Sequence, residues 1–140
     1  MADNLTQKQR KLTMQRVKSK DTSPEMKVRR LIHGMGYRYR LHCKELPGKP
    51  DLVFPRLKKI IFVHGCFWHR HNGCKYAKIP QTNQDYWLPK LAGNETRDLT
   101  NQKKLCDLGW SVLIVWECQT KDTASLTEIL REFLEEKING

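Results

Sequence analysis

The segment Cys66-Phe67-Trp68-His69-Arg70-His71-Asn72-Gly73-Cys74, with His64 two residues before it, concentrates reactive side chains more densely than any other part of this chain. Two thiols, three imidazoles and two large rings lie within a dozen positions, so metal ligation, proton transfer and base stacking are all available. Cys66, His71 and Cys74 are spaced five and three apart, close enough for one loop to fold around an ion, and Cys118 can add a fourth ligand from the end of a later strand. Zinc takes tetrahedral Cys/His sets, and four protein ligands leave no position for water, so such a site is structural. His64 and His69 are surplus to that ion and remain free for chemistry.

Asp51 follows Gly48-Lys49-Pro50 and opens the apolar run Leu52-Val53-Phe54. An aspartate at the head of one strand and His64 at the tail of the next can meet at one edge of a sheet. Mg²⁺ wants hard oxygen ligands, and Asp51 with a main-chain carbonyl and waters suits it. A histidine nearby can take a proton from water near neutral pH. Metal to stabilise charge on a phosphate and imidazole to generate the nucleophile make a phosphodiesterase. The plainer roles are a turn-forming aspartate and packed histidines; the convergence of these groups with a basic chain favours the chemical reading. Phe67, Trp68 and Trp87 are expected in loops beside this centre, where rings among polar residues wedge between bases and unstack them. Trp110 and Trp116 read as core.

The partner follows from charge. The 140 residues carry 26 Lys and Arg against 15 Asp and Glu, a formal net charge of +11. Residues 1–50 hold 13 basic against 4 acidic side chains, a net of +9, and the remainder holds only +2. A basic half calls for a polyanion, because each neutralised phosphate releases condensed counterions. The length suits one domain, residues 1–140, with a basic arm or short helix over residues 1–22. No apolar run of about 18 residues is present, which excludes a membrane-spanning helix. The first residues lack the apolar stretch of a signal peptide, so a cytoplasmic location is expected. Five cysteines in such a chain do not suggest a disulfide framework; Cys43 and Cys106 read as ordinary thiols.

The elements that must position these groups are an alternation of helices and strands. Thr22-Ser23-Pro24-Glu25 predicts a helix start with Ser23 as N-cap, and Val28, Leu31, Ile32 and Met35 recur at helical spacing until Gly34 and Gly36. Strands are predicted over 37–41, 51–54, 60–63 and 110–116. Asp85 to Leu88 reads as a short helical turn, and Asn94 as the cap of a separate helix carrying Leu99, Leu105 and Leu108. Leu126, Ile129, Leu130, Phe133, Leu134 and Ile138 mark a closing amphipathic helix. The fold class is α/β with a mixed sheet.

Several blocks together resemble the very short patch repair (Vsr) DNA mismatch endonucleases. They are 13–22, Pro47-Gly48-Lys49-Pro50-Asp51-Leu52-Val53, Phe62 to His69, Asn94-Glu95-Thr96-Arg97-Asp98, and 108–118. The resemblance runs from about residue 8 to 120. It implies a restriction-endonuclease-like mixed sheet flanked by helices, a structural Zn²⁺ site, and a Mg²⁺-dependent nick 5′ to the T of a T:G mismatch left by deamination of 5-methylcytosine. Position by position, Asp51 would bind the metal and Val63 would offer its main-chain carbonyl. His69 would be the general base, with His64 and Asp98 assisting and Glu25 a supporting acid near the metal waters. Met14, Phe67, Trp68 and Trp87 would be wedges around the mismatch, with Met14 delivered by the basic arm. The carboxylate–x–lysine pair of ordinary restriction enzymes is missing after Ile61, where Phe62-Val63-His64 stands. A functional link to a cytosine-5 DNA methyltransferase, a monomeric state and a place at the bacterial nucleoid follow as expectations. The alternatives are a broader mismatch or restriction-type nuclease, and a zinc-stabilised DNA-binding module without catalysis.

Overall fold

The computed structural model describes residues 22–79 and 81–136. The basic arm with Met14, and Ile138 at the other end, lie outside the described residues. Helix α1 (Ser23–Gly34) starts where Thr22 Oγ1 accepts the Glu25 N–H at 3.3 Å, so Thr22 is the N-cap and Ser23 already belongs to the helix. Either hydroxyl could serve by type; the one that stays extended while Pro24 enters the first turn wins. Val28 and Ile32 are fully buried on one stripe of α1, and Glu25 lies on the same buried side at 2 % exposure. A carboxylate there needs a reason beyond packing.

Three strands follow: β1 (Arg40–Leu41), β2 (Leu52–Phe54) and β3 (Lys59–His64). They pair antiparallel in that order, with Leu41 opposite Leu52 and Leu52 opposite Ile61. The expected strand over 37–41 is paired only at its last two residues; Tyr37 and Tyr39 instead pack edge-on against Phe54. After a loop with a 3₁₀ turn at Lys75–Ala77 come α2 (Gln84–Asp107) and β4 (Ser111–Trp116). Strand β4 pairs parallel to β3, His64 facing Trp116, and a parallel pair requires such a crossover. A second 3₁₀ turn, Glu117–Lys121, leads into α3 (Thr123–Glu135).

The mixed four-stranded sheet is covered on both faces. Leu52, Phe54, Ile61 and Val115 pack with Val28 and Ile32 of α1 and Leu126, Leu130 and Leu134 of α3. Val53, Ile60 and Phe62 face the other way, against Leu105 of α2. Alternation along β3 therefore sends Ile60, Phe62 and His64 toward α2. Burial of each large side chain contributes about 1.5–3 kcal/mol before entropy is counted.

Helix α2 corrects the sequence reading. It is one helix of 24 residues that runs through Pro89 and past Asn94. Pro89 is the sixth residue of this helix, past its first turn, so it forfeits the N–H bond to the Asp85 carbonyl, a cost of about 3 kcal/mol that the helix's other contacts must offset. Tertiary packing then carries the helix on: Leu91 is fully buried, and Asn94 donates from Nδ2 to the Trp68 carbonyl at 3.1 Å instead of capping. Trp87 consequently sits on the first turn of a helix and not in a loop.

The end of α3 is held by a buried cation. Lys59, 1 % exposed, donates from Nζ to the carbonyls of Phe133 (2.5 Å), Leu134 (3.2 Å) and Glu136 (2.5 Å). These are carbonyls a helix C-terminus leaves unmatched, at the negative end of its dipole. Replacing Lys59 with methionine keeps the volume but strips the donors. The denaturation midpoint should fall by an amount equivalent to about 2–4 kcal/mol, whereas Lys103→Met on the exposed face of α2 should change it little.

Candidate active site and metal centre

Asp51 stands where β2 and β3 stop pairing. Its Oδ2 accepts the Val63 N–H at 2.7 Å, replacing the ladder bond that the diverging strands no longer make. In a strand the N–H and C=O of one residue point to the same side, so the Val63 carbonyl is also turned toward Asp51. Opposite Asp51, His42 donates its N–H to the Asp51 carbonyl at 3.1 Å, and its ring Nε2 lies 2.9 Å from Glu25 Oε2. One ligand atom from each of Glu25, His42 and Asp51 falls within 4.8 Å of the others. Burial pushes the Asp51 carboxyl up to about 7; the Val63 N–H opposes that, and the nearby Glu25 carboxyl adds to it. Two acids crowded in this way fit a divalent cation, which would relieve both.

The residue after Val63 begins a second group. His64 is buried and stacks on His69, ring centroids 3.8 Å apart and planes 10° from parallel. His69 Nδ1 donates to Asp98 Oδ2 at 2.5 Å. That bond fixes the tautomer and leaves Nε2 as the proton acceptor. Burial, then the neighbouring His69, pushes the His64 ring down to about 4, with Asp98 opposing, so His64 is neutral at physiological pH. Asp98 reaches this position from α2, one turn beyond Asn94, whose side chain bonds the Trp68 carbonyl next to His69. Both groups line one open groove of about 1060 Å³. Its floor is set by a close approach: at Gly48 (φ +78°) a Cβ would come within 3.1–3.2 Å of Asn101 and Phe62.

Phe67 and Trp68 line the same groove, and further rings pack behind them. Phe67 packs against Trp68 (5.1 Å) and Trp87 (5.3 Å), and Tyr86 extends the group at 4.9 Å from Trp87. Tyr86 is 57 % exposed. The partly exposed cluster is assembled from a loop and a helix start, which is why a sequence that splits α2 does not show it whole.

Cys66, His71, Cys74 and Cys118 converge as their spacing predicts, with ligand atoms all within 4.8 Å of one another. Cys118 Sγ lies 3.4 Å from His71 Nδ1, and the Cys118 N–H donates to Cys66 Sγ at 3.3 Å. Burial pushes the Cys66 thiol up to about 12 and raises Cys118 as well. A largely enclosed set of three thiols and an imidazole, with Cys66 fully buried, fits zinc, which binds thiolates and would supply the missing positive charge. Arg70, at φ +52°, turns the chain between His69 and His71, so that adjacent histidines serve opposite groups. Trp116 does not behave as plain core. Its ring stacks on His71 (4.2 Å, 9°) and meets His64 edge-on at 5.3 Å, a wall shared by the two centres. The residue that sequence reasoning missed is His42; a lone histidine after a short strand gives no signal until Glu25 is seen beside it.

A carboxylate pair, an Asp-oriented histidine and a ring cluster along one groove are the equipment of a nuclease. The family model for DNA mismatch endonuclease Vsr matches residues 2–75. The chain is 47 % identical to the type II nicking enzyme V.XorIIP of Xanthomonas oryzae, covering 96 % of this chain and 98 % of that protein. It is 40 % identical to the type II nicking enzyme V.NmeAIP of Neisseria meningitidis serogroup A, over 97 % and 96 % of the two chains. Identity to the DNA mismatch endonuclease Vsr of Escherichia coli is 41 %, over 100 % of this chain and 90 % of that one. The chain belongs to the Vsr DNA mismatch endonuclease family and is a DNA endonuclease. Its substrate is therefore DNA, and no helix among the described residues is long and apolar enough to cross a membrane.

Proposed function

We propose that this endonuclease nicks one strand of duplex DNA 5′ to the T of a T:G mismatch, using Mg²⁺ held by Asp51 and the Val63 carbonyl. The observation that carries this reading is the sharing of one groove by Asp51, the His69–Asp98 pair and the rings of Phe67 and Trp68. A bound divalent ion supplies charge stabilisation at the scissile phosphate. His69 Nε2 takes a proton from water, whose oxygen attacks phosphorus while the bond to the leaving oxygen breaks. Asp98 holds the imidazole in the tautomer this needs and stabilises the imidazolium. His64, neutral and stacked beneath His69, keeps that ring in place and can donate to the phosphate. Glu25 orders water around the metal. Phe67, Trp68 and Trp87, with Met14 from the arm, wedge the duplex open; a mispaired base costs least to unstack, which favours the mismatch.

Zn²⁺ on Cys66, His71, Cys74 and Cys118 is structural in this reading. The mixed sheet is read as restriction-endonuclease-like, and the whole chain as one domain whose basic arm, residues 1–22, grips DNA. One groove suffices for one nick, so a monomer is expected, acting at the nucleoid beside a cytosine-5 methyltransferase that creates the vulnerable base. The test is a strand-resolved cleavage assay with Mg²⁺ on labelled duplexes carrying one T:G mismatch in several methylation contexts. A single nick just 5′ to the T, absent from paired duplex, is the expected result. Cutting of paired DNA would move the assignment to a restriction-type nuclease.

A further inference from the structure

His42 joins the two acids of the groove by different means. Its backbone N–H is bonded to the Asp51 carbonyl at 3.1 Å, and its ring Nε2 donates to Glu25 Oε2 at 2.9 Å. A carboxylate only accepts, so the ring nitrogen must carry the proton in this bond. His42 has φ +46°, the left-handed region that non-glycine residues adopt rarely and that persists where the surroundings hold it. The effect is to aim the imidazole inward at Glu25, which is 2 % exposed on the core side of α1.

The same Glu25 oxygen is approached by Arg29 Nη1 at 3.4 Å. Both donors therefore pull on Oε2, and the carboxyl stays beside Asp51, a ligand oxygen of each acid lying within 4.8 Å of the other. Without His42, Glu25 Oε2 keeps the longer ion pair to Arg29 within its own helix and loses its shorter bond to β1's neighbouring segment, so the acid pair loses the strut that fixes its relative position. Charge-assisted bonds of this kind are among the stronger ones.

We propose that His42 is a positioning residue for the cation site: it holds the Glu25 carboxylate against Asp51, so that the two acids address one divalent ion. The inference rests on the reading of Asp51 as a metal ligand. A residue that merely pins β1 to α1 would affect stability and leave cation affinity alone.

The test uses the full-length protein as purified and Mn²⁺ as probe, binding being followed by the electron paramagnetic resonance of the free ion, with no DNA present. His42→Ala should weaken Mn²⁺ binding about tenfold, the effect of one lost charge-assisted bond. His42→Gln, which keeps a donor at similar reach, should recover most of it. In nicking assays His42→Ala should lower kcat at saturating DNA, leave KM for DNA unchanged and raise the Mg²⁺ concentration needed for half-maximal rate. Adding His42→Ala to Glu25→Ala should cost nothing further. Unchanged Mn²⁺ affinity in His42→Ala, a loss that glutamine does not recover, or full additivity with Glu25→Ala overturns the proposal. A wild-type protein that binds Mn²⁺ no better than Asp51→Ala would sink the metal reading itself. Binding lost in Asp51→Ala but indifferent to His42→Ala would overturn the role of His42 alone.

Discussion

Asp51→Ala will nick a mismatched duplex more slowly by on the order of 10³-fold or more, while binding the same duplex at least as well as the parent. The first effect follows from removing the carboxylate that would hold the divalent ion, whose charge stabilisation is worth several kcal/mol in the transition state. The second follows because the lost charge is negative and faces a polyanion. Single-turnover nicking and gel-shift titration measure the two separately. Equal loss in both would assign Asp51 to DNA contact, and intact nicking would remove it from the reaction.

The same carboxyl makes a signed prediction about stability. Its folded value is raised from 3.8 to about 7, chiefly by burial. The folded state therefore holds a proton that the unfolded chain releases at lower pH, and stability falls as pH rises between about 4 and 7. Asp51→Asn keeps an acceptor for the Val63 N–H and cannot ionise. Without added divalent ion it should melt a few degrees above the parent at about pH 8 and no higher near pH 4. A residue kept at the expense of stability is the pattern of a working site.

Cys66→Ala will lower the melting temperature by about 10 °C or more and abolish nicking, although Cys66 touches neither acid of the groove. Cys66 is fully buried and anchors His71 through a backbone bond of 2.9 Å as well as through the shared ligand set. The loop 66–74 has few buried apolar side chains of its own, so ion binding would supply much of its folding free energy. Metal analysis should find about one zinc per chain in the parent and little in the variant, and a strong chelator should shift the parent's melt toward that of the variant. A parent without zinc and a variant that melts like it would leave the four residues as an ordinary thiol cluster.

The sequence carries much of this arrangement, for identifiable reasons. The order of helices and strands follows from hydrophobic period, and β3 is the buried strand its unbroken apolar run suggests, whereas the similar run in β4 is only half-buried apart from Val115. Cys66, His71, Cys74 and Cys118 converge as their spacing in one loop and at one strand end suggests. Local signals fail where tertiary packing decides. Asn94 has the chemistry of a cap, but Leu91 and the bond to the Trp68 carbonyl keep the helix running. Thr22 and Ser23 are equivalent caps on paper, and Trp116 looks like core until the strand register sets it between His64 and His71. His42 has meaning only through Glu25, seventeen residues away, and no local period records that pairing.

The order of side chains within the loop has a consequence for how such an enzyme is made. Ligands and working groups are interleaved there, Cys66 before Phe67, Trp68 and His69, and His71 and Cys74 after them. If the four ligands take up zinc as proposed, a newly synthesised chain still without the ion would present neither the proton acceptor nor the rings in register. A protein that breaks chromosomes would thus leave the ribosome disarmed, and maturation, not synthesis, would decide when cutting begins.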